Sequence, residues 1–357
     1  MFRNLGFWLV LLTLTGGGLP AFASTEESPL VLVRPAMSIA NPENAWLLGV
    51  VRAGSRLVAV GENGLILLSD NDGQNWHQAV VPVSVMLTGV AFANETTGWA
   101  IGHLGVVLKT TDAGEHWTLQ LDGIQAAALV LEQAREHAIP GAEKSLAVRR
   151  AELLVDDGPD KPFLALEVRS RQEVLILGAY GYALQTTDGG EHWTSVSRQF
   201  ENPMGMHYYG LAHHGNHRFV VGERGLLLRS ELSTPFGALS QPYDGTLFGS
   251  VITGHGDVVA FGLRGNIVCS GDDGDHWKHI DSPVEASIQA GTRLLDGRVL
   301  LVAENGQMLT GRDCDSPFTL MNRRSIPAAD LVQISRDQIV VVGPSGTQVI
   351  NFANGKL

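Results

Sequence analysis

One phrase recurs seven times in this chain: an apolar strand, a Gly-x-x-Gly turn and a second apolar strand. The copies run from Leu57 to Ser69, Trp99 to Thr110, Val174 to Thr186, Arg218 to Ser230, Val258 to Ser270, Val299 to Thr310 and Ile339 to Ile350. Their turns open on Gly61, Gly102, Gly178, Gly222, Gly262, Ala303 and Gly343, at spacings of 41, 76, 44, 40, 41 and 40 residues. Short strands repeating at about 40 residues are the pattern of propeller blades. A single blade cannot bury both its faces, so the units must stack on one another. The expected fold is therefore all-β: a seven-bladed β-propeller with four-stranded blades.

One unit shows the expected blade in full. Between Leu87 and Gln120, LTGVAFA reads as the inner strand, GWAIG as the second, VVLKT as the third and WTLQ as the outer one. The seventh unit runs out after its third strand, near Phe352. The spare apolar run from Pro29 to Pro35 is expected to supply its fourth strand, closing the ring and removing exposed edges.

The first 23 residues read as a signal peptide. Arg3 precedes an apolar run from Phe7 to Leu14, and Ala21-Phe22-Ala23 offers a small-x-small cleavage site before Ser24. That run is too short to span a bilayer. The expectation is an exported protein with residues 24–357 as the propeller, periplasmic in a cell with two membranes. The net charge of −12 argues against a nucleic-acid partner, which needs a basic face. Cys269 and Cys314 are the only cysteines. Export permits a bridge between them, and the sequence leaves that open.

A second motif, Ser/Thr-x-Asp-x-Gly-x-x-Trp, follows several repeats. It reads TTDAGEHW at Asp112 and Trp117, TTDGGEHW at Asp188 and Trp193, and SGDDGDHW at Asp272 and Trp277. In SDNDGQNW, ending at Trp76, Asn71 takes the Asp position. The Asp is suited to accept backbone N–H groups within a hairpin turn, and the Trp to pack over the hairpin. This is a structural assignment, preferred to calcium binding or catalysis.

These boxes resemble the Asp-box (BNR) repeat. Combined with the Gly-x-x-Gly hairpins, they resemble the photosystem II stability/assembly factor family of propellers, over nearly the whole chain from about Ser28. The resemblance implies a non-catalytic factor that attends assembly of a membrane-protein complex, photosystem II in photosynthetic members, where the compartment would be the thylakoid lumen. In other bacteria an envelope transporter complex is the expected client.

The one long interval holds an insertion, about residues 121–162. Ile124 to Ala138 and Ala142 to Asp157 are rich in helix formers and are stopped by Pro140-Gly141 and Gly158-Pro159. They predict a helical hairpin whose Leu129, Leu131, Leu146, Leu153 and Leu154 pack on the ring or meet a partner. The hairpin joins the outer strand of blade two to the inner strand of blade three. Blade topology therefore puts it on the same face as the Gly-x-x-Gly turns, with the Asp boxes opposite. That face displays Glu62, His103, Tyr180, Glu223, Arg224, Arg264 and Glu304. Met204 and Met206 border it in the connector from Phe200 to Tyr209. These residues, Glu62 apart, form the expected partner-binding set.

Rival readings are weaker. A sialidase-like hydrolase needs clustered arginines at the ring mouth, and only Arg293 lies in a predicted inner strand. A carbohydrate-binding propeller would show repeated exposed aromatics beyond the box Trp. His207, His213, His214 and His217 cluster in sequence, but adjacent His213 and His214 must point to opposite faces. No catalytic residue, metal or cofactor is expected, and the protein is expected to be a monomer.

Overall fold

The computed structural model describes residues 29–138, 145–231 and 234–352. The signal-peptide reading and the Pro140-Gly141 helix stop fall outside them. Seven antiparallel sheets form the ring, built in order from residues 47–78, 87–121, 163–195, 208–238, 247–280, 288–324 and 330–351. Six sheets have four strands and the seventh has three. The predicted seven-bladed propeller is therefore the observed fold, with a difference in how the ring closes.

Each seam between blades is an apolar cluster. Second strands are buried on both faces: Gly98–Gly102, Val174–Gly178 and Val258–Gly262 have no exposed residue. This is why they read as continuous apolar runs. The seam between blades seven and one packs Ile334, Val340 and Val342 against Leu47, Val50, Leu57, Ala59 and Leu67. Two cross-seam hydrogen bonds support it: Val50 N to Asp330 Oδ2 at 2.9 Å, and Arg52 Nη1 to the Ile334 carbonyl at 2.6 Å.

The run from Pro29 to Pro35 does not complete the seventh blade. Leu30–Val33 forms one helical turn, α1, lying against the outside of blade one. Leu32 inserts into the seam of blades one and two at 3% exposure. The backbone is fixed there by Ser84 N to Val31 O at 2.8 Å and Ala36 N to Val81 O at 3.0 Å. An apolar run this short fits any greasy seam, and the flanking prolines disfavour a ladder.

The turns explain the Gly-x-x-Gly phrase. In the first copy, a Cβ on Gly61 would stand 2.1 Å from the Trp46 carbonyl oxygen. One on Gly64, at φ +75°, would stand 2.1 Å from the Val83 carbonyl oxygen. Both glycines let the turn press against chain entering an inner strand.

On the opposite face the boxes do what the sequence implied. Asp112 Oδ1 accepts from His116 N at 3.0 Å, and Thr110 Oγ1 accepts from Gly114 N at 3.0 Å. Asp188 and Asp272 repeat the pattern with His192 and His276. The exposed Asp188 and Asp272 carboxyls are held below the usual carboxylate range, first by those backbone hydrogen bonds and then by the imidazoles. Trp117 and Trp193 are buried, while Trp76 and Trp277 are half-buried. The boxes also latch neighbouring blades, a role not visible in the motif. Arg56 of blade one donates to Ala113 O at 3.1 Å and Glu115 Oε1 at 2.7 Å, in the box of blade two. Lys109 reaches Gly189 O at 2.7 Å in the box of blade three, and Arg229 reaches Asp273 O and Asp275 Oδ1 of blade five, each at 2.7 Å.

Cys269 and Cys314 form a disulfide, Cα–Cα 5.6 Å, tying blade five to blade six. Asp257 Oδ2 accepts from Cys314 N at 2.8 Å. These three residues are the only His, Cys, Asp or Glu grouping among the described residues tight enough for an ion. With both sulfurs bonded to each other, one carboxylate is left as a ligand.

Candidate docking face

The insertion folds as the predicted hairpin, with α2 at Gly123–Glu136 and α3 at Leu146–Asp156. Asp122 opens α2 with a capping box. Its Oδ1 accepts from Ile124 N and Gln125 N, both at 3.0 Å, and Gln125 Oε1 accepts from Asp122 N at 3.1 Å. Leu129, Val130 and Leu154 pack on the seam of blades two and three, beside Trp99 and Phe163. Ala134, Val148, Ala151 and Leu131 fill the space between the helices. Leu146 and Leu153 remain 56% and 59% exposed. The predicted apolar positions thus divide between packing on the ring and facing outward.

Two hydrogen bonds brace the hairpin against the ring: Arg150 Nη1 to Pro203 O at 2.7 Å, and Gln133 Nε2 to Ser195 O. Lys161 closes its far end. It lies between Asp157 and Asp160 and 5.3 Å from the centre of the Tyr180 ring. Burial pulls the Lys161 ammonium down, but the two carboxylates outweigh it and leave its pKa raised. Tyr180 in turn stacks on His207 at 4.9 Å, and His207 N donates to Glu223 Oε2 at 3.3 Å. A continuous string of contacts therefore joins the hairpin to the turns of blades three and four.

Between hairpin and connector lies a groove of about 580 Å³. Val130, Ala134, Leu153 and Leu154 form one wall, with Tyr180 and Met204 on the other. Asn202 shapes that wall by bonding Met206 twice, Oδ1 from its N at 2.9 Å and Nδ2 to its O at 2.8 Å. Met204 is left 69% exposed at the crest. A smaller hollow of about 220 Å³ lies beyond it, against Met206, Glu223 and Arg224.

Of the residues picked out from sequence, Tyr180, Met204, Met206, Glu223 and Arg224 come together here. His103, Arg264 and Glu304 sit in the turns of blades two, five and six and do not reach the groove. The glutamates have a structural task that sequence reasoning missed. Glu62 accepts from Trp46 N at 3.0 Å, and Glu223 and Glu304 accept from His207 N and Ser287 N at 3.3 Å. Each clamps the chain entering its own blade. The signal was present as Glu following the first turn residue in three repeats. The histidines do not assemble: His217 lies between Glu231 and Asp273 at 3.9 and 3.7 Å, whereas His207 stacks on Tyr180.

The second residue between the turn's ends is not glycine in any blade, and in five blades it is held left-handed. Asn63, Leu104, Tyr180, Arg224 and Arg264 have φ of 52, 55, 57, 52 and 57°. These side chains project from the face at a backbone cost.

No protein-family description matches the sequence, and no curated protein matches it. Solved structures do match in fold. One described as YCF48 bound to D1 peptide aligns over 92% of this chain and 99% of its own, with TM-score 0.63 and 16% identity. YCF48 from Cyanidioschyzon merolae aligns over 88% and 97%, with TM-score 0.62 and 13% identity. The WD40 β-propeller domain of Doa1 aligns over 90% and 97%, with TM-score 0.62 and 10% identity. At these identities the likeness is one of fold: the chain shares the β-propeller architecture of these structures.

Proposed function

We propose that this chain is a non-catalytic, exported scaffold that holds a membrane protein, or a subunit of a membrane-protein complex, during its assembly. The groove between the helical hairpin and the Met204 connector is the grip, and Arg224 on the neighbouring turn extends it. The observation that carries this reading is the gathering of Leu153, Tyr180 and Met204, each more than half exposed, around one groove. Charged groups beside it, Arg150 and Lys161, are engaged in holding the hairpin. A propeller of the same architecture has been described holding a D1 peptide, which supports a peptide-binding role by analogy of fold. Export, to the periplasm or to a thylakoid lumen, is part of the proposal and rests on the N-terminal sequence.

The test is crosslinking of the full chain in native envelopes, beside a Leu153→Asp, Met204→Asp variant. Both changes are at exposed positions and leave the ring intact. One membrane protein captured by the unmodified chain and lost with the variant supports the grip. Equal capture by both places the contact elsewhere.

A further inference from the structure

Among the described residues the seventh blade is one strand short. Its last described strand, Gly346–Asn351, pairs on one side only, with Gln338–Gly343. Gln338 stands opposite Asn351, and Phe352 N donates to Asp337 O at 2.7 Å. Alternation along an antiparallel ladder then turns the backbone groups of Thr347, Val349 and Asn351 outward. Arg323 of blade six confirms that phase, since its Nη1 donates to the Asn351 carbonyl. Thr347 and Val349 each keep an N–H and a C=O pointing away from the blade. In the other six blades an outer strand of two to six residues occupies this place. The side chains agree: Thr347, Gln348 and Val349 are half-buried, whereas Ile267–Ser270, the equivalent strand of blade five, is buried throughout.

Edges left open in natural sheets are guarded by proline, charge or a bulge. This one has none: the strand is Gly-Thr-Gln-Val-Ile-Asn and its register is unbroken. The surrounding charge is polarised. Arg323, 5.5 Å from the centre of the Phe352 ring, and exposed Arg336 flank the Asn351 end. Asp337 beside them is engaged by Ser335 Oγ at 2.7 Å, and Glu43 belongs to the segment that abuts Gly346 at the other end.

We propose that this edge receives one extended strand of a partner polypeptide, acidic where it meets Asn351, which completes the seventh blade by strand addition. Backbone groups of Thr347 and Val349 provide the ladder, and Arg323 with Arg336 set the polarity. The site is across the ring from the hairpin groove and stands independently of the function proposed above.

Two measurements on the full chain decide it. Amide hydrogen exchange should show Thr347 and Val349 exchanging freely in the isolated protein. They should become protected on adding a labelled octapeptide that alternates valine with threonine and carries a glutamate at one end. Fluorescence anisotropy should show saturable binding of that peptide. N-methylation of its alternate amides should weaken binding at least about tenfold, because the ladder bonds are lost. A lysine-for-glutamate peptide should also bind more weakly. Val349→Pro, which removes an outward N–H together with a side chain packed on the blade-one seam, should reproduce the N-methyl result in protein whose circular dichroism matches the parent. Protection already present in the isolated protein would mean the chain's own residues cover the edge. Protection that grows with protein concentration would mean a second copy does. Either result overturns the proposal, as does failure of the unmethylated peptide to bind at millimolar concentration.

Discussion

Replacing Arg224 or Arg264 by glycine should make this protein more stable, although each removes a large side chain. Both residues sit at the second position of their turns with φ of 52 and 57°. Holding an L-residue in the left-handed region costs about 1–2 kcal/mol. Glycine escapes that cost but gives the unfolded chain more freedom, worth about 0.4–1 kcal/mol in the opposite direction. Neither guanidinium makes a hydrogen bond or ion pair described above, so little native interaction is lost. The net expectation is a gain of about 0.5–1 kcal/mol per site. The sites lie in different blades, so the double variant should gain about 1–2 kcal/mol, close to the sum. In a ring of this size that is a rise in Tm of order 2–4 °C, measurable by circular dichroism at fixed scan rate. Arg224→Ala and Arg264→Ala are the decisive controls, because alanine keeps the strain while losing the side chain. Gly variants no more stable than their Ala counterparts would refute the claim that these turns are strained. If the reasoning holds, Arg224→Gly should also bind the captured membrane protein less well, since the strain there serves to display that side chain beside the groove.

Other outcomes follow from the packing and charge. Trp117→Ala should cost about 3–5 kcal/mol in urea denaturation, as expected for a buried Trp whose Nε1 donates to Gly114 O at 2.8 Å. Trp277→Ala, at a half-buried position, should cost clearly less, and equal losses would contradict the burial argument. Breaking the Cys269–Cys314 bridge, which closes a separation of 45 residues, should cost about 4 kcal/mol by the loop-entropy relation. An unchanged melting curve in dithiothreitol, with free thiols demonstrated, would be inconsistent with that. Burial pushes the Asp330 carboxyl up to about 6 from the ordinary 3.8, partly opposed by the amides of Val50 and Leu331. The folded ring then binds this proton more tightly than the unfolded chain does. Its contribution to stability is full below pH 3.8 and is lost as pH rises through about 6. Asp330→Asn should therefore close any deficit relative to the parent between pH 4 and 7. A stability difference that is flat over that window would remove the role given to this group.

Most of the ring was legible because its signals are local and repeated. Two apolar strands meeting at Gly-x-x-Gly appear in every blade, and the box Asp and Trp act within eight residues of chain. The hairpin was legible for the same reason, since two runs of helix formers, each followed by a Pro and Gly pair, mark ordinary helices. What was not legible depends on contacts between blades. Leu32 could have lodged in any seam, and nothing in a five-residue apolar run says that it chooses blades one and two. Arg56, Lys109 and Arg229 look like ordinary strand cations until the next blade's box is brought beside them. The docking face was half legible. Topology placed the turns and the hairpin on one side, but only the fold separates Tyr180, Met204 and Arg224 at the groove from Arg264 and Glu304 away from it.

The seam of blades seven and one is held by side chains and two hydrogen bonds, and no strand is exchanged across it among the described residues. A propeller sealed by a shared strand has a privileged first residue, because cutting elsewhere leaves one blade divided between distant ends. This ring has no such point. Its blades are whole in sequence, and its order could be rotated without splitting any of them. Joining the natural ends through a flexible linker and opening the chain between exposed Asp281 and Pro283, in the connection between blades five and six, would leave every seam with its original partners. The chain's order around the ring is then a matter of descent rather than of mechanics, and any of several turns could begin it.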